Sequence, residues 1–199
     1  MTPLVLASTS RYRKELVQRL GLKLDRDFVA LAPSFDEDQA KISNLKAHDL
    51  CLFLGQEKAR SLATSDNCVV GSDQMLVLRE QILGKPGTEA AAIEQLMSLQ
   101  GQEHELLTSL TVYYQLQKVQ ILDVTKMTMQ TLQRSQVESY VHMDQPLDCA
   151  GSYKIEKNGI SLFERIQTED FTAIQGLPLL ALSKILRQFG YLIPSKEIL

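Results

Sequence analysis

The strongest constraint on the fold is local. An apolar run, Pro3 to Ala7, stops at three consecutive hydroxyl residues, Ser8-Thr9-Ser10, and a cationic amphipathic segment follows. The run has the length and flanks of a buried strand. Serine and threonine favour helix N-caps because their side-chain oxygen accepts from an otherwise unpaired backbone N–H. Leu16, Val17 and Leu20 share one helical face, and Gly21 is a natural stop. The chain therefore opens strand, turn, helix. The free N–H groups and dipole of that helix start suit an anion. Arg11, Arg13 and Lys14 place cations there, which costs stability unless an anion answers them. On spacing alone, a solvated basic turn with a serine cap is an equal reading.

Downstream, Phe28–Ala32 reads as a strand and Asp36–Lys41 as an acidic loop. A long helix is expected over Asn44–Ala63. Asn67–Leu78 reads as a strand interrupted by Ser72-Asp73-Gln74, with Gln81–Gly84 as a hairpin partner. Thr88 caps a helix with Ala92, Ile93, Leu96 and Leu99 inward, ending at Gly101. Leu106–Gln115 and Val119–Met129 are expected to pair across a turn near Lys118. A short helix over Ser135–Met143 and a mixture of short strands and loops over Ile155–Ile174 follow. Pro178 and Gly190 bracket a last helix whose Leu182, Ile185, Leu186 and Phe189 form a core stripe. This order implies a mixed α/β protein.

Composition narrows the function. The 199 residues are 44% hydrophobic and 23% charged, ordinary for one globular domain. A net charge of -3 argues against a non-specific nucleic-acid binder, yet leaves room for a nucleotide held by a few local cations. The three cysteines, Cys51, Cys68 and Cys149, lack metal or redox spacing, and the three histidines form no HxxxH pattern. The first apolar segment is too short for a secretory h-region, and no run approaches a membrane span. A cytosolic location is expected.

Asp73 stands out because it lies between Val69-Val70-Gly71 and Met75-Leu76-Val77. Carboxylates are rarely buried unless paired or bound to a cation. A turn aspartate beside Gly71 is the plain alternative to a metal ligand or general base. Lys58 late in the long helix, and Lys85 in Gly84-Lys85-Pro86-Gly87, are unremarkable by themselves. The small-residue cluster Asp148-Cys149-Ala150-Gly151-Ser152-Tyr153 implies close backbone packing against a strand or a ligand.

Taken in order, these segments resemble the Maf family over nearly the whole chain. The matches are Leu6-Ala7-Ser8-Thr9-Ser10 with Arg13, Phe35-Asp36-Glu37, Glu57-Lys58-Ala59, Gly71-Ser72-Asp73-Gln74 and Leu83-Gly84-Lys85-Pro86. They continue through Leu99, Gly101, Thr108, Tyr140, Pro146, Asp148-Cys149-Ala150-Gly151-Ser152, Gly159-Ile160, Leu162-Phe163-Glu164 and Gly176-Leu177-Pro178. The resemblance implies a single domain over 1–199, similar to inosine triphosphate pyrophosphatases. It would have a mixed twisted sheet with flanking helices and two lobes around a nucleotide cleft, in a family that is often homodimeric. It implies hydrolysis between the α and β phosphates with Mg2+ or Mn2+. Asp73 falls at the family's catalytic aspartate. Ser8, Ser10, Arg13, Lys58 and Lys85 would bind substrate, and Glu37 with Asp73 would hold the metal.

Within the family the chain looks most like the 7-methyl-GTP branch, on Tyr12, Gln74 and Glu156. A positively charged 7-methylguanine would gain a cation–π contact of roughly 0.5–2 kcal/mol from an aromatic face. The Glu156 carboxylate would accept from the guanine edge. By themselves, Tyr12 is a packing aromatic and Glu156 a solvated acid. The chain departs from the family at Arg11 (usually proline), Lys14 (often arginine), Gln130 (arginine expected) and Gln133 (serine common). Two alternatives remain at this stage: a dTTP/UTP or other non-canonical nucleotide pyrophosphatase, and a nucleotide-binding regulator of septum formation with little turnover.

Overall fold

The first strand–turn–helix sequence folds as its residues dictate, and a parallel sheet grows from it. The structure is a computed structural model, and it describes residues 2–35 and 45–194. Strand β1 (Leu4–Leu6) leads into helix α1 (Arg11–Gln18), which returns the chain to β2 (Phe28–Ala30), parallel to β1. Helix α2 (Ala47–Arg60) then brings β3 (Cys68–Leu78) onto the other side of β1, again parallel, with Leu4 opposite Cys68 and Leu6 opposite Val70.

The remaining elements are β4 (Gln81–Leu83), α3 (Glu89–Leu99), β5 (Glu103–Tyr114), β6 (Gln117–Met129), α4 (Arg134–Asp144), β7 (Phe163–Gln167), the short α5 (Phe171–Ile174) and α6 (Leu179–Gln188). A 3-10 turn spans Asn158–Leu162. Strand order is β2-β1-β3-β5-β6-β7, with β4 antiparallel on β3 and β7 antiparallel on β6, so the sheet is mixed as expected. Among the described residues no helix is long and apolar enough to cross a membrane.

The chain divides into two compact units. The first takes Met1–Asp73, Thr108–Asp123 and Asp170–Leu199. Its core follows the period of two along its strands. Leu4, Leu6, Cys68 and Val70 pack with Leu16 and Val17 of α1 and with Leu182, Ile185 and Leu186 of α6. Val5, Ala7 and Val69 pack with Ala59 of α2. Helices thus cover both faces of the parallel strands.

The second unit takes Gln74–Leu107 and Val124–Glu169. There α3 packs on α4, burying Ala92, Leu96, Leu99, Val137 and Val141. A ring cluster of His104, Tyr153 and Phe163 is buried as well, with the Tyr153 and Phe163 rings edge to face at 4.9 Å. Gln130 donates to the Phe163 carbonyl at 3.1 Å, so a neutral side chain does the tethering where an arginine was expected. At the α4 start, the Gln136 side chain accepts from the Gln133 backbone at 2.8 Å.

Three expectations are corrected. β3 is not interrupted at Ser72-Asp73-Gln74 but runs unbroken from Cys68 to Leu78, because Ser72 and Asp73 find buried partners. α2 is shorter than Asn44–Ala63. Asn67 captures the chain beyond it, accepting from the Thr64 N–H and donating to the Leu62 carbonyl, both at 2.9 Å; Asn44 lies outside the described residues. The β5–β6 turn falls at Gln115-Leu116, both at positive φ, and Lys118 is already in β6. Such hairpin turns usually announce themselves with glycine or asparagine, and this one has neither.

Candidate active site

In an open parallel sheet the crevice beyond the carboxyl ends of strands whose connections diverge is where ligands bind. In the first unit β1 is that strand, since α1 carries the chain to one side of it and α2 to the other. Ser8 sits just past its end, 6% exposed, and its Oγ accepts from the Ser10 N–H at 3.2 Å. Ser10 is the α1 N-cap, accepting from the Arg13 N–H at 3.4 Å. No acidic residue occupies the first turn of α1. Arg13 folds back over that turn: its Nε donates to the Gly176 carbonyl at 2.9 Å and Nη1 lies 3.5 Å from Ser8 Oγ. Arg11 turns away to Glu15 at 2.7 Å, well exposed. It therefore adds no cation to the turn.

β3 outruns β1, so Gly71, Ser72 and Asp73 extend beyond the parallel register. Gly71 and Asp73 face α2, where Lys58 waits. Lys58 Nζ lies 2.6 Å from Asp73 Oδ1, with the side chains only 8% and 11% exposed. Glycines create this proximity. A Cβ on Gly71 would lie 2.5 Å from the Gly55 carbonyl and 2.6 Å from Ala59 N, and one on Gly55 would strike Ser109 Oγ. The Asp73 backbone is held too: its N–H donates to Ser109 Oγ at 3.0 Å. Among the described residues Asp73 Oδ2 has no hydrogen-bond partner.

Two ions that close need strong mutual attraction to offset lost hydration. Burying the pair thus adds little net stability, and it leaves one carboxylate oxygen uncommitted among the described residues. That oxygen is a hard donor of the kind Mg2+ and Mn2+ prefer. Among the described residues no three His, Cys, Asp or Glu side chains converge as a metal cage. With phosphate oxygens beside it, such a carboxylate would fit the ion as one ligand. Glu37 lies outside the described residues.

The other expected residues divide between the units. Tyr12 is half-buried at the second position of α1. Gln74 is half-buried in β3, at the start of the second unit. In that unit Lys85 is exposed on a turn pinned at both ends, by Gln95 donating to the Gly84 carbonyl at 3.0 Å and by the Gly87 N–H donating to the Leu147 carbonyl at 3.0 Å. Glu156 is exposed on a turn whose base is fixed: the Lys157 and Gly159 N–H groups both donate to the Lys154 carbonyl at 3.1 Å. Lys154 itself is 9% exposed, its Nζ 3.0 Å from the Gln145 carbonyl and 3.2 Å from Asp148 Oδ1.

Sequence reasoning missed Ser109 and the Gly55 seat beneath it. A serine in a β run carries no signal until the neighbouring strand is known. Ser72 and Gly176 lay within quoted motifs but without a role.

Residues 3–189 match the family described as Maf-like protein. A 7-methyl-GTP pyrophosphatase of Bdellovibrio bacteriovorus is 49% identical over 92% of this chain and 95% of its own. Two proteins of the same name, from Thiobacillus denitrificans and Xanthomonas axonopodis pv. citri, are 43% and 41% identical, covering 94% and 98% of this chain and 92% and 100% of theirs.

Proposed function

The chain belongs to the Maf-like protein family, and we propose that it is a nucleoside triphosphate pyrophosphatase, cleaving 7-methyl-GTP between the α and β phosphates to 7-methyl-GMP and diphosphate. The observation that carries the chemistry is the buried Lys58–Asp73 pair at 2.6 Å, with Asp73 Oδ2 left unpartnered among the described residues. The names of its relatives support the base.

The roles follow from charge. Hydrolysis of a triphosphate is chiefly a matter of positioning and neutralising phosphate oxygens. Ser8, Ser10 and Arg13 at the start of α1 hold the chain of phosphates, and Lys85 supplies another cation. Lys58 fixes Asp73 by one carboxylate oxygen. The other orients the attacking water and accepts its proton. Glu37 would hold Mg2+ or Mn2+ together with phosphate oxygens, joined by Asp73 where its free oxygen serves as ligand instead of base. When bound, that ion neutralises charge building on the phosphate oxygens. Tyr12 stacks on the methylated base, Glu156 accepts from its N1–H and amino group, and Gln74 serves base selection beside Asp73.

Three free cysteines are in keeping with a reducing cytosol as the working compartment. The proposed partner is the nucleotide alone, with neither nucleic acid nor membrane, and the proposed assembly is a homodimer. The deciding experiment is diphosphate release with Mg2+ or Mn2+ across 7-methyl-GTP, GTP, dTTP, UTP and ITP. Preferred release from 7-methyl-GTP is expected. Preference for dTTP or UTP would keep the chemistry and overturn the base assignment. Nucleotide binding without release would favour a regulator.

A further inference from the structure

The carbonyl of Gly176 accepts two hydrogen bonds, each at 2.9 Å: one from Arg13 Nε and one from Ser72 Oγ. These fill both lone pairs of the oxygen. One donor belongs to the proposed phosphate-binding arginine, and the other is the chain neighbour of Asp73 on the opposite face of β3. We propose that Ser72 is a positioning residue for Arg13, acting through this shared carbonyl, so that phosphate binding and the catalytic strand are mechanically one unit. The inference rests on the reading of Arg13 as a phosphate ligand.

Three features make the carbonyl a fixed point. Gly176 has φ 106°, a conformation natural to glycine alone. The chain on either side is tied down. Thr108 Oγ1 donates to the Ala173 carbonyl at 3.0 Å, and Asp170 accepts from the Thr172 and Leu180 N–H groups at 3.0 and 2.7 Å. Ser72 is fully buried, so water cannot replace its hydroxyl. With Nε committed to the carbonyl, the tilt of the guanidinium fork that Arg13 brings to the α1 start follows the carbonyl. Removing the Ser72 hydroxyl frees the carbonyl to swing toward Arg13, and the fork turns with it.

The test is calorimetric binding of inorganic diphosphate, which needs no turnover, to the unsubstituted protein, Ser72→Ala, Arg13→Lys and the double variant. Arg13→Lys keeps the charge and removes the Nε donor. Ser72→Ala is expected to weaken binding roughly fivefold and Arg13→Lys roughly tenfold. Because both act through one carbonyl, the double variant should be no weaker than Arg13→Lys. Ser72→Cys, nearly isosteric and a poorer donor, should fall between Ser72→Ala and the parent, and serves if Ser72→Ala does not fold. Multiplying losses in the double variant, or full binding by Ser72→Ala and Ser72→Cys, would overturn the coupling. No diphosphate binding by the unsubstituted protein would instead remove the phosphate reading of Arg13, and the inference with it.

Discussion

Lys58 reaches from α2 to β3 and sets its Nζ 2.6 Å from Oδ1 of Asp73, in a place nearly closed to water. The proximity is a property of backbone packing: helix and strand approach closely only because Gly55 and Gly71 lack side chains.

The pair therefore responds asymmetrically to substitution. Lys58→Met leaves a carboxylate buried beside a thioether and should destabilise the protein by about 3–5 kcal/mol. Combining it with Asp73→Leu removes both charges and should recover most of that loss. Urea denaturation at neutral pH measures both. Asp73→Asn should abolish turnover while nucleotide binding stays within a few fold, as seen by comparing diphosphate release with calorimetry.

Gly71→Ala forces a methyl to 2.5 Å from the Gly55 carbonyl and 2.6 Å from Ala59 N, so α2 must lift from β3. Overpacking of this kind costs about 1–3 kcal/mol. Because Lys58 rides on α2, kcat should fall as well, more steeply than KM rises. Gly84→Ala is the control: its methyl meets nothing within 4 Å, and stability should stay within about 0.5 kcal/mol.

His104 supplies a pH dependence of stability. It is 2% exposed, its Nδ1 has no hydrogen-bond partner among the described residues, and its Nε2 lies 3.2 Å from the Tyr153 hydroxyl. Burial pushes its pKa down to about 4, from an ordinary 6.5. As pH falls through 6.5 the unfolded chain takes up a proton that the folded one refuses until about pH 4. Stability is therefore full above pH 6.5 and drains between 6.5 and 4, by on the order of 3 kcal/mol. His104→Phe should flatten that window in thermal melts. An unchanged slope would place the effect elsewhere.

Much of this was legible in the sequence, for reasons that differ by residue. Ser10 and Thr88 were readable as caps because capping is a matter of adjacent residues. Asp73 was readable because a carboxylate in an apolar run needs a partner. Family resemblance offered Lys58 only as a substrate-binding cation; its pairing with Asp73 was not legible, since a contact across 15 positions is set by helix–strand packing. Ser109 and the Gly176 carbonyl were illegible as site parts. A backbone oxygen has no sequence signature, and the strand neighbours of β3 emerge only from topology.

Base selection gives the sharpest test of the substrate. Glu156 is exposed on a turn tied to the Lys154 carbonyl, and it makes no hydrogen bond among the described residues. Glu156→Gln should thus leave stability within about 0.5 kcal/mol. The substitution keeps one acceptor but removes the charge and offers an amide donor instead. A cationic 7-methylguanine loses its counter-charge and one of two accepted hydrogen bonds, whereas a thymine gains a donor for a ring carbonyl. The kcat/KM for 7-methyl-GTP should fall roughly tenfold, and the ratio to dTTP should narrow by more than that. Pairing this with Tyr12→Ala separates charge from stacking: Tyr12→Ala should penalise 7-methyl-GTP over GTP by roughly 2- to 30-fold through the lost cation–π contact. An unchanged 7-methyl-GTP to dTTP ratio in Glu156→Gln would mean that the base is read elsewhere.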